Sequence, residues 1–208
     1  RSSTSTRAPD CAARAAAAHP NTAGGAMCRN LVAAIDAREL SLQAERSWAA
    51  PWPAVRVTYR NLAKVHLRLA RADWMGRLAV GRPPASWFDE DDRRAILALP
   101  AVKTAAVDLP ATPDQRQRRH DVPVAAALGA DTLEPGSYWV VASHAAEFGE
   151  SDNVVQAALV WVTRLAIVAE QSRSAVMGPA AAAERAGSVS GHVVDLASGE
   201  PVAGASVK

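Results

Sequence analysis

Long apolar runs are missing from this 208-residue sequence. Outside its alanine tracts the longest strictly apolar stretch is AALVWV, residues 157–162, far short of the roughly 18 residues a membrane-spanning helix needs. A bilayer span is thereby excluded. Charge of one sign is also missing, because 23 Lys and Arg stand against 21 Asp and Glu, a formal net charge of +2. The basic residues are spread along the chain and are not gathered into patches interleaved with aromatics, so nucleic acid is not an expected partner. Cysteine is nearly absent. Cys11 and Cys28 lie 17 positions apart with no Cys or His at zinc-ligand spacing, which excludes a structural zinc site. There is no Gly-x-Ser-x-Gly, no phosphate loop and no Gly-x-Gly-x-x-Gly, so the motifs that announce common catalytic and nucleotide sites are missing too.

What is present is a composition near the globular average, 49% hydrophobic and 21% charged, which can build at least one core. Residues 9–18 read as an alanine-rich helix with Asp10 near its start, where a carboxylate suits the helix dipole. Residues 21–25 read as a turn. Residues 26–37 again read as helix, with Met27, Leu31 and Ile35 on one face, so the pair forms a helical hairpin. From Glu39 onward the period becomes two. Val55, Val57 and Tyr59 alternate with Arg56, Thr58 and Arg60, and Val65, Leu67 and Leu69 alternate with His66, Arg68 and Ala70. The short connection at residues 61–64 predicts an antiparallel hairpin of these two strands. Ser86 is placed to cap a helix over residues 87–99, acidic in its first turn. Further strands are predicted at residues 40–46, 102–109, 118–126, 136–143 and 157–169. Seven short strands at this spacing predict a mainly β chain whose residues 39–171 form an antiparallel seven-stranded β-sandwich. Val57, Leu67, Leu69, Val140 and Trp161 are its expected core, with Arg56, Arg68 and Arg164 turned to solvent.

The remaining boundaries follow from composition. Residues 1–38 are the N-terminal helical segment, residues 172–187 a linker or loop rich in Ala, Ser and Gly, and residues 188–208 the start of a second β-domain, cut off. A chain that opens on Arg1 with a Ser/Thr-rich lead-in reads as a fragment of a longer one. For the cysteines two readings stand side by side. Cys11 and Cys28 form one disulfide across the turn in an oxidising compartment, closing a loop worth about 3 kcal/mol, or they are small buried hydrophobes in a reducing one.

No constellation assembles catalytic chemistry. The five histidines, His19, His66, His120, His144 and His192, fall in five different predicted elements. His66 lies on the solvent face of its strand. His120 beside Asp121, and Ser143 beside His144, point to opposite faces of a strand and make no dyad. Glu147, Glu150 and Asp152 lack the spacing of a calcium loop and read as a solvated loop. Arg116, Arg118 and Arg119 read as guards of an edge strand. Neither an enzyme, nor a cofactor, nor a metal is expected. Trp48, Trp52, Trp74 and Trp87 fall at strand ends or loops, where they either plug the ends of a core or offer a contact surface.

Three blocks of text carry a family resemblance. GAMCRNLVAAIDARELSLQAERSWAAPWPAVRVTYRNLAKVHLRLARADW at residues 25–74 resembles the early macroglobulin-like region of bacterial alpha-2-macroglobulin family proteins. GSYWVVASHAAEFGESDNVVQAALVWVTRLAIV, residues 136–168, is similar to that family's strand, acidic loop and VWVT strand. SGHVVDLASGEPVAGASV, residues 190–207, resembles the strand-turn-strand that opens the following macroglobulin-like domain. The resemblance implies a stack of β-domains in a large secreted or periplasmic endopeptidase inhibitor, a trap sprung by cleavage of a bait segment and in many members completed by a thioester. It implies neighbouring macroglobulin-like domains and target proteases as partners. The thioester motif Cys-Gly-Glu-Gln does not occur; Glu170-Gln171 follows Val168-Ala169, and no bait is recognisable. The expectation is therefore a scaffold part of such a trap. The alternative is a β-sandwich binding or adhesion module of a cell-surface protein.

Overall fold

A computed structural model describes residues 7–79, 90–149, 151–170 and 190–205. The chain starts with two helices, α1 (Arg7–Ala18) and α2 (Ala23–Asp36), packed on each other as the expected hairpin. The expected turn is shorter than its composition implied, because Thr22 caps α2 by accepting the Gly25 N–H at 3.1 Å, and both glycines join the helix. Gly25 is required by close approach. A Cβ there would lie 1.8 Å from the His19 carbonyl oxygen.

Then follow β1 (Glu39–Gln43), β2 (Ser47–Trp48), β3 (Ala54–Arg60), β4 (Lys64–Arg71), α3 (Trp74–Ala79), α4 (Glu90–Ala98), β5 (Ala101–Asp108), β6 (Arg118–Pro123), α5 (Val124–Leu128), β7 (Gly136–Ser143), β8 (Val155–Val162), β9 (Leu165–Glu170) and β10 (Ser190–Asp195). The chain is mainly β. One sheet has the order β1-β3-β6, a second the order β2-β8-β7-β4-β5, and β9 pairs with β10. The first two sheets share one core in which Val55, Val57 and Tyr59 of β3, Val65, Leu67 and Leu69 of β4, and Val140 of β7 are fully buried.

This architecture corrects the seven-stranded antiparallel sandwich. The two sheets hold eight strands, and the larger is mixed because β2 runs parallel to β8. The expected β3–β4 hairpin does not form. β3 pairs with β1 and β6, and β4 pairs with β5 and β7, so residues 61–63 carry the chain from one sheet to the other. Asn61, at φ 55°, takes the left-handed conformation that this crossing requires. Alternation reports which face of a strand is buried and not which strand lies beside it, so facing sheets and a hairpin give the same pattern. The strand expected over residues 118–126 ends at Pro123, and α5 follows. The one expected over residues 157–169 breaks at Thr163 and Arg164 into β8 and β9, and β9 turns away to pair with β10, Leu165 opposite Asp195 and Glu170 opposite Ser190. Ser86, Trp87 and the linker at residues 172–187 lie outside the described residues.

Two core assignments also change, for one reason: the outer face of the larger sheet is covered. Ile96 of α4 and Phe148 pack there on Trp139 and Val141 of β7. Trp161 belongs to this outer face. It is half-buried, meeting Trp74 of α3 edge to face at 5.2 Å between centroids, while Val160 and Val162 point into the core. Arg68, expected in solvent, lies under α4. It donates to the carbonyls of Ile96 and Leu97, at 3.4 and 3.0 Å, and sits 4.7 Å over the Phe148 ring. Burial there lowers its pKa by penalising the charged form. Arg56 and Arg164 are exposed as expected.

Candidate interaction site

Few of the residues singled out in the sequence are brought together: His144 and Asp152 meet at Arg38, and Trp48 and Trp52 line one groove. Cys11, exposed, and Cys28, half-buried, are free thiols with no disulfide between them. Helix geometry accounts for this. Gly25 packs at the level of His19; Cys11 lies eight residues before the one and Cys28 three after the other, an offset of five. At 1.5 Å per residue the thiols are staggered by about 7 Å along the hairpin, which together with the distance between helix axes exceeds the span a disulfide tolerates.

Among the described residues no three His, Cys, Asp or Glu side chains gather as a metal group. His144 accepts the Val154 N–H on Nδ1 at 3.0 Å, and Asp152 pairs with Arg38 at 3.2 Å, so these two residues fasten the acidic loop to the end of α2. Ser143 is buried and donates to the Ala145 carbonyl, not to a histidine. Arg118 and Arg119 lie on β6, an edge strand, where they guard against edge pairing. Asp121 is taken by Arg56, directly opposite on β3, through two hydrogen bonds of 2.8 and 3.1 Å.

That pair makes a testable statement about acid. The hydrogen bond from Arg56 and its positive charge hold the Asp121 carboxyl below the ordinary carboxylate range. A depressed pKa means that the group's contribution to stability is fully present above about pH 4 and is lost as pH falls through the lowered value. Carboxyl titration by NMR is expected to show Asp121 titrating below its ordinary value, and Arg56→Ala to move the midpoint up. An unchanged midpoint in Arg56→Ala would contradict this origin.

One assembled feature has the form of a site. β2 is held to β8 by the Trp161 N–H on the Arg46 carbonyl at 2.6 Å and the Thr163 N–H on the Trp48 carbonyl at 3.1 Å. This seats Trp48, fully buried, at the end of the core, as a plug and not a contact surface. Beyond it the Leu196 N–H reaches the Arg164 carbonyl at 2.8 Å and ties the β9–β10 hairpin to the β8–β9 break. Between these parts lies a groove of about 390 Å³ lined by Trp48, Trp52, Leu133, Val162, Asp131 and Asp195, among others. Asp195 closes its turn by accepting the N–H groups of Ala197 and Ser198, both at 3.0 Å, and those bonds draw its carboxyl below the ordinary range. Sequence reasoning missed this groove, as it missed the Arg77–Asp92 ion pair under α4, since neither leaves a local motif.

No family model and no curated protein matches the sequence. Among solved structures, the crystal structure of native alpha-2-macroglobulin from Escherichia coli spanning domains MG0-NIE-MG1 is similar over 79% of this chain and 48% of that one, with a TM-score of 0.52 and 14% identity. The fold is shared. This chain thus spans about half the length of the structure it matches. A second structure of the same protein, spanning NIE-MG1, covers 64% of each chain at a TM-score of 0.42 and 15% identity. Among the described residues, no helix is long and apolar enough to cross a membrane.

Proposed function

We propose that this chain is a scaffold part of a bacterial alpha-2-macroglobulin-like protease trap, an endopeptidase inhibitor of the periplasm or cell exterior, and not itself an enzyme. The observation that carries this reading is the shared fold over 79% of the chain with an alpha-2-macroglobulin segment. The three sequence blocks that resemble the family support it: the first runs through α2 and β1–β4, the second through β7, β8 and most of β9, and the third opens on β10. In this reading residues 1–38 are a helical lead-in, residues 39–171 a macroglobulin-like domain, and residues 188–208 the opening of the next. The partners are neighbouring domains of the same chain and, through the whole protein, target proteases. With no Cys-Gly-Glu-Gln and no recognisable bait, residues 1–208 contribute packing and not capture.

Two experiments test this. Incubating the chain with a broad-specificity protease is expected to give no SDS-resistant adduct and no loss of protease activity. An adduct would overturn the scaffold reading. A longer polypeptide carrying these residues is expected to retain a protease after being cleaved by it; a parent that never does so removes the trap. The adhesion-module reading asked for a surface of clustered exposed tryptophans. Trp48 is buried and Trp52 and Trp74 are half-buried, which favours plugs. Trp87 lies outside the described residues.

A further inference from the structure

We propose that His144 is a proton-operated latch: uncharged, it fastens residues 144–149 and 151–154, between β7 and β8, against the end of α2, and on protonation it lets them go. This device does not depend on the trap reading.

The ring meets a donor at each nitrogen. Nδ1 accepts the Val154 N–H at 3.0 Å and so carries no proton, which places the proton of the neutral ring on Nε2. Nε2 lies 3.4 Å from Nη1 of Arg38, a second donor from which the ring cannot accept in this tautomer. Nη1 is held there by Asp152, whose Oδ2 accepts from it at 3.2 Å. A second proton on the ring goes to Nδ1 and points at the Val154 N–H, so the imidazolium and this hydrogen bond exclude each other. It also sets a positive charge against the Arg38 guanidinium. The other charged groups lining this hollow are Asp36 of α2 and Asp152 itself. Both attract an imidazolium. Asp152 can reach it only by giving up Arg38, which again frees these residues from α2. Glu39, at the start of β1, is engaged by Arg60 and Gln117, Glu147 is exposed, and His66 of β4 lies opposite Ser143.

The latched segment is strained. Phe148 and Asp152, neither of them glycine, take left-handed backbone conformations at φ 54° and 48°. Such conformations persist only where surrounding contacts over-determine them. Here those contacts are the His144 and Arg38 bonds, together with Ser143 Oγ, which accepts from Asn153 Nδ2 at 2.9 Å. α2 stays in place without the latch, because Asn61 Nδ2 donates to the carbonyls of Ile35 and Ala37 at 2.7 and 3.1 Å. What moves on release is therefore the segment after β7, and with it Phe148, which covers Arg68 on the outer face of the larger sheet. Since the protonated ring does not fit the latched state, latching is complete above the ordinary imidazole pKa of about 6.5 and is lost as pH falls below it.

Nitrogen-15 NMR of the whole chain reads the latch directly. At about pH 7.5 the ring nitrogen shifts of His144 are expected to place the proton on Nε2. From there to about pH 5.5, one unit below the ordinary imidazole value, the exchange protection of the Val154 amide, corrected for the intrinsic pH dependence of exchange, is expected to fall about tenfold. Protection of the Val140 amide, in the buried strand β7, is expected to stay constant. His144→Asn keeps an acceptor where Nδ1 stood and removes the titration, so its Val154 protection is expected to be the same at both pH values. A proton on Nδ1 at the higher pH, Val154 protection that ignores pH, or the same fall in His144→Asn would each overturn the proposal. So would an equal fall at Val140, which would mean that acid unfolds the chain as a whole.

Discussion

Leu67→Ala is expected to lower the unfolding free energy by about 2–5 kcal/mol, the cost of deleting buried methyl groups and leaving a cavity. Leu67 has no exposed surface, and β4 lies between β5 and β7, so neighbours on both sides prevent the site from collapsing. Its chain neighbour sharpens the test. An arginine on a bare strand face would cost under about 1 kcal/mol to truncate. Arg68 instead donates to the last carbonyls of α4 and covers Phe148, so Arg68→Ala is expected to cost about 1–3 kcal/mol. Chemical denaturation of both variants, read at unchanged m-value, separates the outcomes. Equal, small losses would place β4 outside the core. A large loss at Leu67 with almost none at Arg68 would mean that α4 does not rest on this face.

The contrast between these two residues shows where sequence reading succeeded and where it stopped. Val55, Val57 and Tyr59, and Val65, Leu67 and Leu69, were legible as inward because one face of each strand meets a core, and the pleat turns that into strict alternation. β7 was legible to its ends because Gly136 and Ser143 bracket an apolar run. Which strands are neighbours was not legible. Two strands facing each other across a core carry the same pattern as two strands side by side, so the crossing at Asn61 passed for a hairpin. Nor could alternation reveal a third layer. Arg68 and Trp161 sit on an outer face that only the placement of α3 and α4 makes an interior. The groove was least legible of all, since its walls come from four separated stretches of chain and its polar members, Asp131 and Asp195, look in sequence like ordinary turn residues.

The helical layer carries the last prediction. Arg77 of α3 and Asp92 of α4 form an ion pair at 2.9 Å whose side chains are only 16% and 7% exposed, with the guanidinium 5.7 Å from the centroid of the Trp139 ring. Asp92 lies in the acidic first turn of α4, where a carboxylate suits the helix dipole, and burial gives it a second task. Removing one member of a buried pair leaves the other charge desolvated and uncompensated, so Asp92→Ala is expected to cost about 3–5 kcal/mol. Replacing both, Arg77→Met with Asp92→Leu, removes the stranded charge together with its partner and is expected to recover most of that loss. Two readouts belong together here: chemical denaturation, and access of a soluble quencher to Trp139, which the layer shields. Asp92→Ala should expose Trp139 and the double variant should protect it again. If the single variant loses less than about 1 kcal/mol, the pair behaves as a solvent-screened one, and the helices must be held on the sheet by Ile96, Phe148, the Trp74–Trp161 contact and the Arg68 hydrogen bonds to α4, without help from this ion pair.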